Sequence, residues 1–438
     1  MSNAVVRILK TPDLRKKIGF TLFIVLLFRL GSFVPTPYVD YSAVKQCINQ
    51  TSQTSGLYEL VNLFSGGALL QLSVFAMGIM PYITASIIVQ LLRVVIPRFE
   101  ELHKEGESGR AKMTQYTRYL ALGLGLLQAT TLVTVARTGA LYGTACSESL
   151  IVNDQWYTIV LMVLTMTAGT GLIMWFGELI TERGIGNGMS LLIFTSIAAQ
   201  FPSQMGAIWN GNGGPRNFVF VMILALVLVV AVVFVEQSQR RIPVQYAKRV
   251  VGRRTYGGNT TYIPIKVNMA GVVPVIFASS LLYLPALIAQ FNQGDGSQEP
   301  PAWVQFISNY LTRGDHPLYM ALYFLLIVGF TYFYVAITFN PEEQAENLKK
   351  YGGFIPGIRA GRPTADFLNY VLSRITFPGS IYLGIVALLP LIVLGGLGVG
   401  QNFAFGGTSI LIIVGVGLET VKQINSQLQQ RHYEGLLK

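Results

Sequence analysis

Long apolar stretches recur along the whole chain, near residues 18–35, 73–96, 114–136, 156–178, 188–206, 217–236, 269–291, 317–339, 375–395 and 406–421. A hydrocarbon core about 30 Å thick takes roughly 20 apolar residues per helix, so the pattern predicts ten membrane crossings. Only 12% of the 438 residues are charged, about half the share of a soluble domain. That leaves too little polar surface for a fold bathed in water. The first stretch follows Arg7, Lys10, Arg15, Lys16 and Lys17, as in a signal peptide. It is long, contains Arg29 and meets no small-residue cleavage site, and so reads as an uncleaved first helix.

The net charge of +11 lies between these stretches. With the N-terminus inside, about 25 of the 32 Lys and Arg fall in cytoplasmic segments, while the external ones hold Lys45, Arg137, Arg216 and Arg313. Both termini are then cytoplasmic. Cations so placed orient helices and meet anionic lipid or acidic partners, with nucleic acid entering only as ribosomal RNA. The turn Trp209-Asn-Gly-Asn-Gly-Gly-Pro215 divides the chain into two five-helix halves. An odd number of spans would invert the second half relative to the first. The expected organisation is a cytoplasmic N-terminus (1–17), an N-terminal half (18–206), an external hinge (207–216), a C-terminal half (217–421) and a cytoplasmic tail (422–438).

From Leu63 to Ile96 the chain is almost continuously apolar. As one helix it would reach about 50 Å, too long for the core, so it has to break. Gly66-Gly67 and Pro81 mark where. The piece from Asn62 to Leu72 is either re-entrant, which requires protein or a watery cavity around it, or an amphipathic helix on the outer surface.

Two cytoplasmic loops exceed what connection needs. The first, 237–268, holds Arg240, Arg241, Lys248, Arg249, Arg253, Arg254 and Lys266, with β-leaning runs either side of Gly257-Gly258 that predict a hairpin. The second, 340–374, carries Lys349, Lys350, Arg359 and Arg362. Loops of this length in a compact protein are functional or disordered, and their glycine, proline and aromatic content favours docking surfaces.

The chemistry is sparse. His103, His316 and His432 lie in loops or the tail without an accompanying acidic cluster, so no metal centre is expected. No P-loop occurs, and the glycine strings Gly184-Ile-Gly-Asn-Gly188 and Gly395-Gly-Leu-Gly-Val-Gly400 do not lie between a strand and a helix. No cofactor is called for, and any nucleotide hydrolysis falls to a partner. Cys47 and Cys146 form no Cys-x-x-Cys pair, and no disulfide framework can be read from them. Ionisable groups at mid-depth mark pumps and transporters. Here Glu178, Glu236 and Glu419 sit near cytoplasmic helix ends, and Arg29 lies near the outer end of helix one, able to snorkel. The balance favours a passive conduit over a pump. A secondary transporter would need a midplane carboxylate or coupling-ion site, and an intramembrane enzyme a buried His, Asp pair or nucleophile triad. Ile79 and Ile83 share one helical face, as do Met189 and Ile193. Such faces serve equally as core or as an apolar constriction. Pro81, Pro274 and Pro390 suggest kinks.

Several words then carry a resemblance. Asn62-Leu-Phe-Ser-Gly-Gly-Ala68, Ala76-Met-Gly-Ile-Met-Pro-Tyr-Ile-Thr-Ala-Ser86, Lys104-Glu-Gly-Glu-Ser-Gly109, Gln115-Tyr-Thr-Arg-Tyr119 and Ile180-Thr-Glu-Arg-Gly-Ile-Gly-Asn-Gly188 resemble the SecY family of Sec translocase channels. So do Lys266-Val-Asn-Met-Ala-Gly271, Phe277-Ala-Ser-Ser280, Asn347-Leu-Lys-Lys350 and Pro356-Gly-Ile-Arg359. The sequence departs at Gly357-Ile-Arg-Ala-Gly361, where the family has proline after the arginine, and at Met189, where it often has isoleucine.

The resemblance implies an all-α membrane protein of ten helices, in two pseudo-symmetric halves that open like a clamshell around an hourglass pore. It implies a non-enzymatic protein-conducting channel in the bacterial inner membrane, releasing hydrophobic segments sideways into lipid. By matching motifs, Ile79, Ile83, Met189, Ile193, Ile276 and Ile412 form the pore ring. Asn62, Leu63, Phe64, Ser65, Gly66, Gly67, Ala68, Leu69 and Leu70 fall in the plug, which runs on to Leu72. Thr84, Ser86, Gln90, Ser279 and Ser280 lie at the lateral gate for signal sequences. The two long loops match those that dock the SecA motor and the ribosome, through Arg240, Arg241, Lys248, Arg249, Arg253, Arg254, Lys349, Lys350 and Arg359. SecE and SecG are the implied partner subunits.

Overall fold

The computed structural model describes residues 11–50, 65–137, 150–153, 155–210, 214–246, 249–251, 254–256, 260–291, 301–311, 316–396 and 407–434. Each of the ten apolar stretches falls on a helix. They are α1 (Pro12–Gly31), α3 (Met80–Val95), α5 (Glu107–Arg137), α6 (Trp156–Arg183), α7 (Gly188–Asn210), α8 (Gly214–Gln237), α9 (Val273–Phe291), α11 (Pro317–Thr338), α13 (Arg362–Gly396) and α14 (Gly407–Glu434). Shorter helices are α2 (Tyr41–Gln50), α4 (Pro97–Lys104), α10 (Ala302–Phe306, continued by a π turn) and α12 (Pro341–Lys350). By length and composition α5, α6, α8, α11, α13 and α14 are each able to cross a membrane. Their apolar side chains face outwards as well as inwards: Leu226, Val230 and Phe234 of α8 are exposed, as a lipid-facing helix requires.

The break expected in the apolar run is there, but it is wider than the sequence suggested. Residues 65–79 are a succession of turns, and the spanning helix begins at Met80 rather than near residue 73. Backbone conformation explains this. Leu72 and Gly78 adopt φ of 46° and 56°, which no helix accommodates. The segment instead bonds to the strand-like exit of α1, Val74 N–H donating to Val34 O (2.9 Å) and Thr36 N–H to Leu72 O (3.0 Å). Pro81 opens α3 instead of kinking it, its missing N–H costing nothing in the first turn. Pro274 likewise sits at the start of α9, whereas Pro390 lies inside α13.

The two long loops build a small sheet. Strands β1 (Gln239–Tyr246) and β4 (Thr260–Lys266) pair antiparallel, and β2 (Arg249–Val251) pairs with β3 (Arg254–Tyr256). Both ladders share one register, with Gln239 opposite Lys266 and Arg249 opposite Tyr256. The hairpin therefore folds between Val251 and Arg254, not at Gly257-Gly258, which lie outside the described residues. A third strand, β5 (Gly353–Phe354), adds to the other edge of β1 and joins the second loop to the first.

Among the described residues, three large apolar clusters fill the membrane-spanning part. One belongs to the first half, with Leu132, Val133, Met162 and Met166 at its centre. A second belongs almost wholly to the second half, around Val232, Ile327, Leu383 and Leu411. The third lies between them and draws on both. Cys47 on α2 is buried in the first cluster and disulfide-bonded, a bridge that spacing alone did not reveal. The other cysteine, Cys146, lies outside the described residues.

Candidate functional site

The shared cluster brings together all six side chains expected at the pore ring. Ile79 and Ile412 are 1% exposed and Ile193 and Ile276 are 6% exposed, with Ile83 and Met189 packed against them half-buried. They come from α3 and the residue before it, α7, α9 and α14. Asn187 sets the start of α7: its Oδ1 accepts from Met189 N–H (3.1 Å), fixing the first turn from which Met189 and Ile193 project. The glycine string before α7 serves packing, not phosphate. A Cβ on Gly188 would lie 1.9 Å from Gly177 O of α6, so only glycine lets the two backbones meet. Met189 lies over that contact, its sulfur 2.4 Å from where a Cβ on Gly177 would stand. Its thioether thus divides its contacts between the ring and α6.

Residues 65–79 close one end of this cluster. Ser65, Gly66, Ala68, Leu69 and Leu72 are buried, so this stretch is enclosed by protein and does not lie on a surface. Ala68 joins the shared cluster, while Leu69 and Leu72 join that of the first half. Phe75 stacks on Phe28 of α1 (5.9 Å) and meets Phe176 of α6 edge-on (6.3 Å). Gly169 of α6 is essential to this fit, since a Cβ there would come within 2.0 Å of Val74 O. Asn62, Leu63 and Phe64 lie outside the described residues.

Arg29 overturns an expectation. Instead of snorkelling outwards, its Nη1 donates to Gly66 O at 2.6 Å and its guanidinium lies 4.6 Å over the ring of Phe33. Glu178 is likewise paired rather than merely near water. Arg118 Nε donates to its Oε1 (2.7 Å) and Nη2 to its Oε2 (2.9 Å), a bidentate pair that ties α5 to α6. Glu236 Oε1 accepts from Asn268 Nδ2, which also donates to Gly271 O, holding the start of α9 to the end of α8.

The polar side chains expected at the lateral gate bond within their own helices. Thr84 Oγ1 donates to Met80 O (2.9 Å), Gln90 Nε2 to Ser86 Oγ (3.5 Å) and Ser279 Oγ to Ile276 O (2.9 Å), each within its own helix. Ser280 Oγ is buried without a hydrogen-bond partner.

At the rim built by the two long loops, Ile242, Val244, Ile265, Leu348, Ile355 and Leu368 form a separate small core. Alternation along β1 buries Ile242 and Val244 and leaves Arg240 and Arg241 exposed. Helix α12 is shaped by its sequence: Asn340 Oδ1 accepts from Glu342 and Glu343 N–H, and Lys349 and Lys350 close the last turn, exposed. Arg359 stands exposed on a turn between Gly357 (φ 83°) and Gly361 (φ 107°), its own carbonyl accepting from Thr364 Oγ1 (2.8 Å). Arg249 and Arg254 stand on β2 and β3, while Lys248 and Arg253 lie outside the described residues.

A pump keeps ionisable groups at mid-depth, whereas the middle of this bundle is an apolar cluster shared by two halves and capped by buried turns. Such a molecule is a multi-pass membrane protein. The SecY family model matches residues 73–421. A protein translocase subunit SecY from Streptomyces galbus is 62% identical over 442 residues, covering 100% of both chains. Among solved structures, a protein-conducting channel superposes with a TM-score of 0.61 at 17% identity, over 94% of this chain and 91% of that one. Sec61 in the canine ribosome–channel complex gives 0.58 at 16% identity, over 94% and 91%. The chain belongs to the SecY family of protein translocase subunits.

Proposed function

We propose that this subunit conducts unfolded polypeptide through the seam between its halves, in the plasma membrane of a bacterium, with Ile79, Ile83, Met189, Ile193, Ile276 and Ile412 as the constriction. The observation that carries the reading is the convergence of these six side chains from both halves into one cluster. An apolar ring offers an ion no partner for its lost water, and it yields to a chain without a specific fit. Residues 62–72 act as the plug, and α3 and α9 part at Thr84, Ser86, Gln90, Ser279 and Ser280 to admit signal sequences to lipid. The ten helices cross with both termini cytoplasmic, in halves spanning 18–206 and 217–421 around the hinge at 207–216. What supports the orientation is the lopsided distribution of Lys and Arg.

The rim is the docking platform for the ribosome and for a SecA-type motor, through Arg240, Arg241, Lys248, Arg249, Arg253, Arg254, Lys349, Lys350 and Arg359. A ribosome-bound Sec61 among the solved neighbours supports the first of these. SecE- and SecG-type subunits would cover part of the apolar perimeter and should co-purify. The conduit is tested by photo-crosslinkers placed singly at Ile193, Ile276 and Phe234, with a secretory chain stalled in transit. The first two should capture the chain, and Phe234, 74% exposed on the outer face of α8, should not. Equal capture at all three would refute the path.

A further inference from the structure

We infer that Arg29 is a latch that holds the plug in place. The inference rests on reading residues 62–72 as a plug, and goes beyond it by naming the side chain that fastens it. An arginine in an apolar setting needs partners, and a long side chain near a helix end ordinarily finds them in outside water. Arg29 turns the other way. Its guanidinium reaches across 37 residues of sequence to a backbone carbonyl, Gly66 O, at 2.6 Å, with Phe33 covering one face of the cation. A bond from a charged donor is among the stronger single contacts in a protein, and the aromatic face adds to it.

The acceptor is placed where fastening matters. Gly66 adopts φ of 70°, and a Cβ there would lie 3.3 Å from both Arg29 Nη1 and Ser196 Cα. Ser196 is three residues along α7 from Ile193, so Gly66 is held between α1 and the helix that carries two ring residues. Besides Arg29, the segment is held by apolar packing, by backbone bonds to residues 34–36 and by Thr36 Oγ1, which donates to Leu72 O at its far end (2.6 Å). Apolar packing is non-directional and the bonds to residues 34–36 fix the Leu72 end, whereas the guanidinium bond specifies the position of Gly66. Because the acceptor is a main-chain oxygen, no substitution within the plug other than one that moves its backbone can remove the contact. Control of the latch therefore lies in α1.

Losing a hydrogen bond to a charged group shifts a two-state equilibrium roughly tenfold. The test measures ion conductance of the reconstituted complex for wild type, Arg29→Met, Arg29→Lys, a deletion of Gly66 to Leu70, and the deletion combined with Arg29→Met. The expected order is a tight wild type, a small rise for Arg29→Lys, about a tenfold rise for Arg29→Met, and the largest rise for the deletion, which Arg29→Met does not increase further. If the deletion leaks while Arg29→Met stays at the wild-type level, the latch is wrong and the plug stands. Added leak from Arg29→Met in the deleted channel would also overturn it, because Arg29 would then act elsewhere. A deletion that does not leak removes the plug reading and the latch together. Should Arg29→Met fail to accumulate in membranes, Arg29→Gln, which keeps a donor without the charge, is read by the same criteria.

Discussion

The middle of the molecule and the rim built by its two long loops follow opposite principles. In the middle, Ile79, Ile193, Ile276 and Ile412 are almost wholly removed from solvent, and their neighbours approach so closely that single glycines decide the fit. At the rim, a modest apolar core supports Arg240, Arg241, Lys349, Lys350 and Arg359, all exposed. A seal works by offering nothing to an ion. A docking surface works by offering charge that no internal partner has claimed. The same substitution should therefore register differently in the two places, as permeability in one and as transport in the other.

The sharpest way to break the contrast is at the ring. Replacing Ile83 and Ile193 together with Gly should raise resting ion conductance of the reconstituted complex by an order of magnitude or more, about the loss of two large side chains from a dry constriction. Conductance at the wild-type level would place the seal elsewhere. Arg359→Glu should then show the reverse signature: motor-driven translocation falls to a small fraction of wild type while resting conductance is unchanged. Arg359→Lys keeps the charge but loses the planar fork and should be partly defective, and the same changes at Arg362 should be tolerated. Full translocation by Arg359→Glu in vesicles with equal protein would remove the docking role. The smallest effect belongs to the seam. Thr84→Val or Gln90→Ala removes bonds made within α3, not across it, and polar contacts in membrane helices average only about 0.6 kcal/mol. Tolerance for weak signal sequences should change about two- to threefold, with the maximal rate unaltered. An equal loss for strong and weak signals would count against gating.

Much of this was legible in the sequence because hydropathy reports directly on what a bilayer demands. All ten apolar stretches lie on helices, and the length of the run to Ile96 correctly required a break. The positions of Ile79, Ile83, Met189 and Ile193 on shared faces were also readable, though whether the faces were core or constriction was not. What escaped depends on distant partners. Arg29 finds Gly66, Arg118 finds Glu178, and Asn268 finds Glu236, in each case more than thirty residues away. Neither periodicity nor charge placement encodes such pairs. The start of α3 lies later than hydropathy suggests because Gly78, inside the apolar run, adopts a positive φ and the turns that begin before Leu72 continue to Ile79. The hairpin was centred too late because Gly257-Gly258 is the more obvious turn, while cross-strand register is set by which face of β1 must bury Ile242 and Val244.

The short strand β5 has a consequence for anyone exchanging parts between relatives. Gln245 pairs with Phe354 and Tyr246 with Gly353, so two loops separated by more than seventy residues of chain form a single sheet. They are one module written in two places. A chimaera that imports either loop alone would carry an unmatched strand edge and a half-filled core beneath it, whereas moving residues 237–268 and 340–374 together would transplant the platform as a unit.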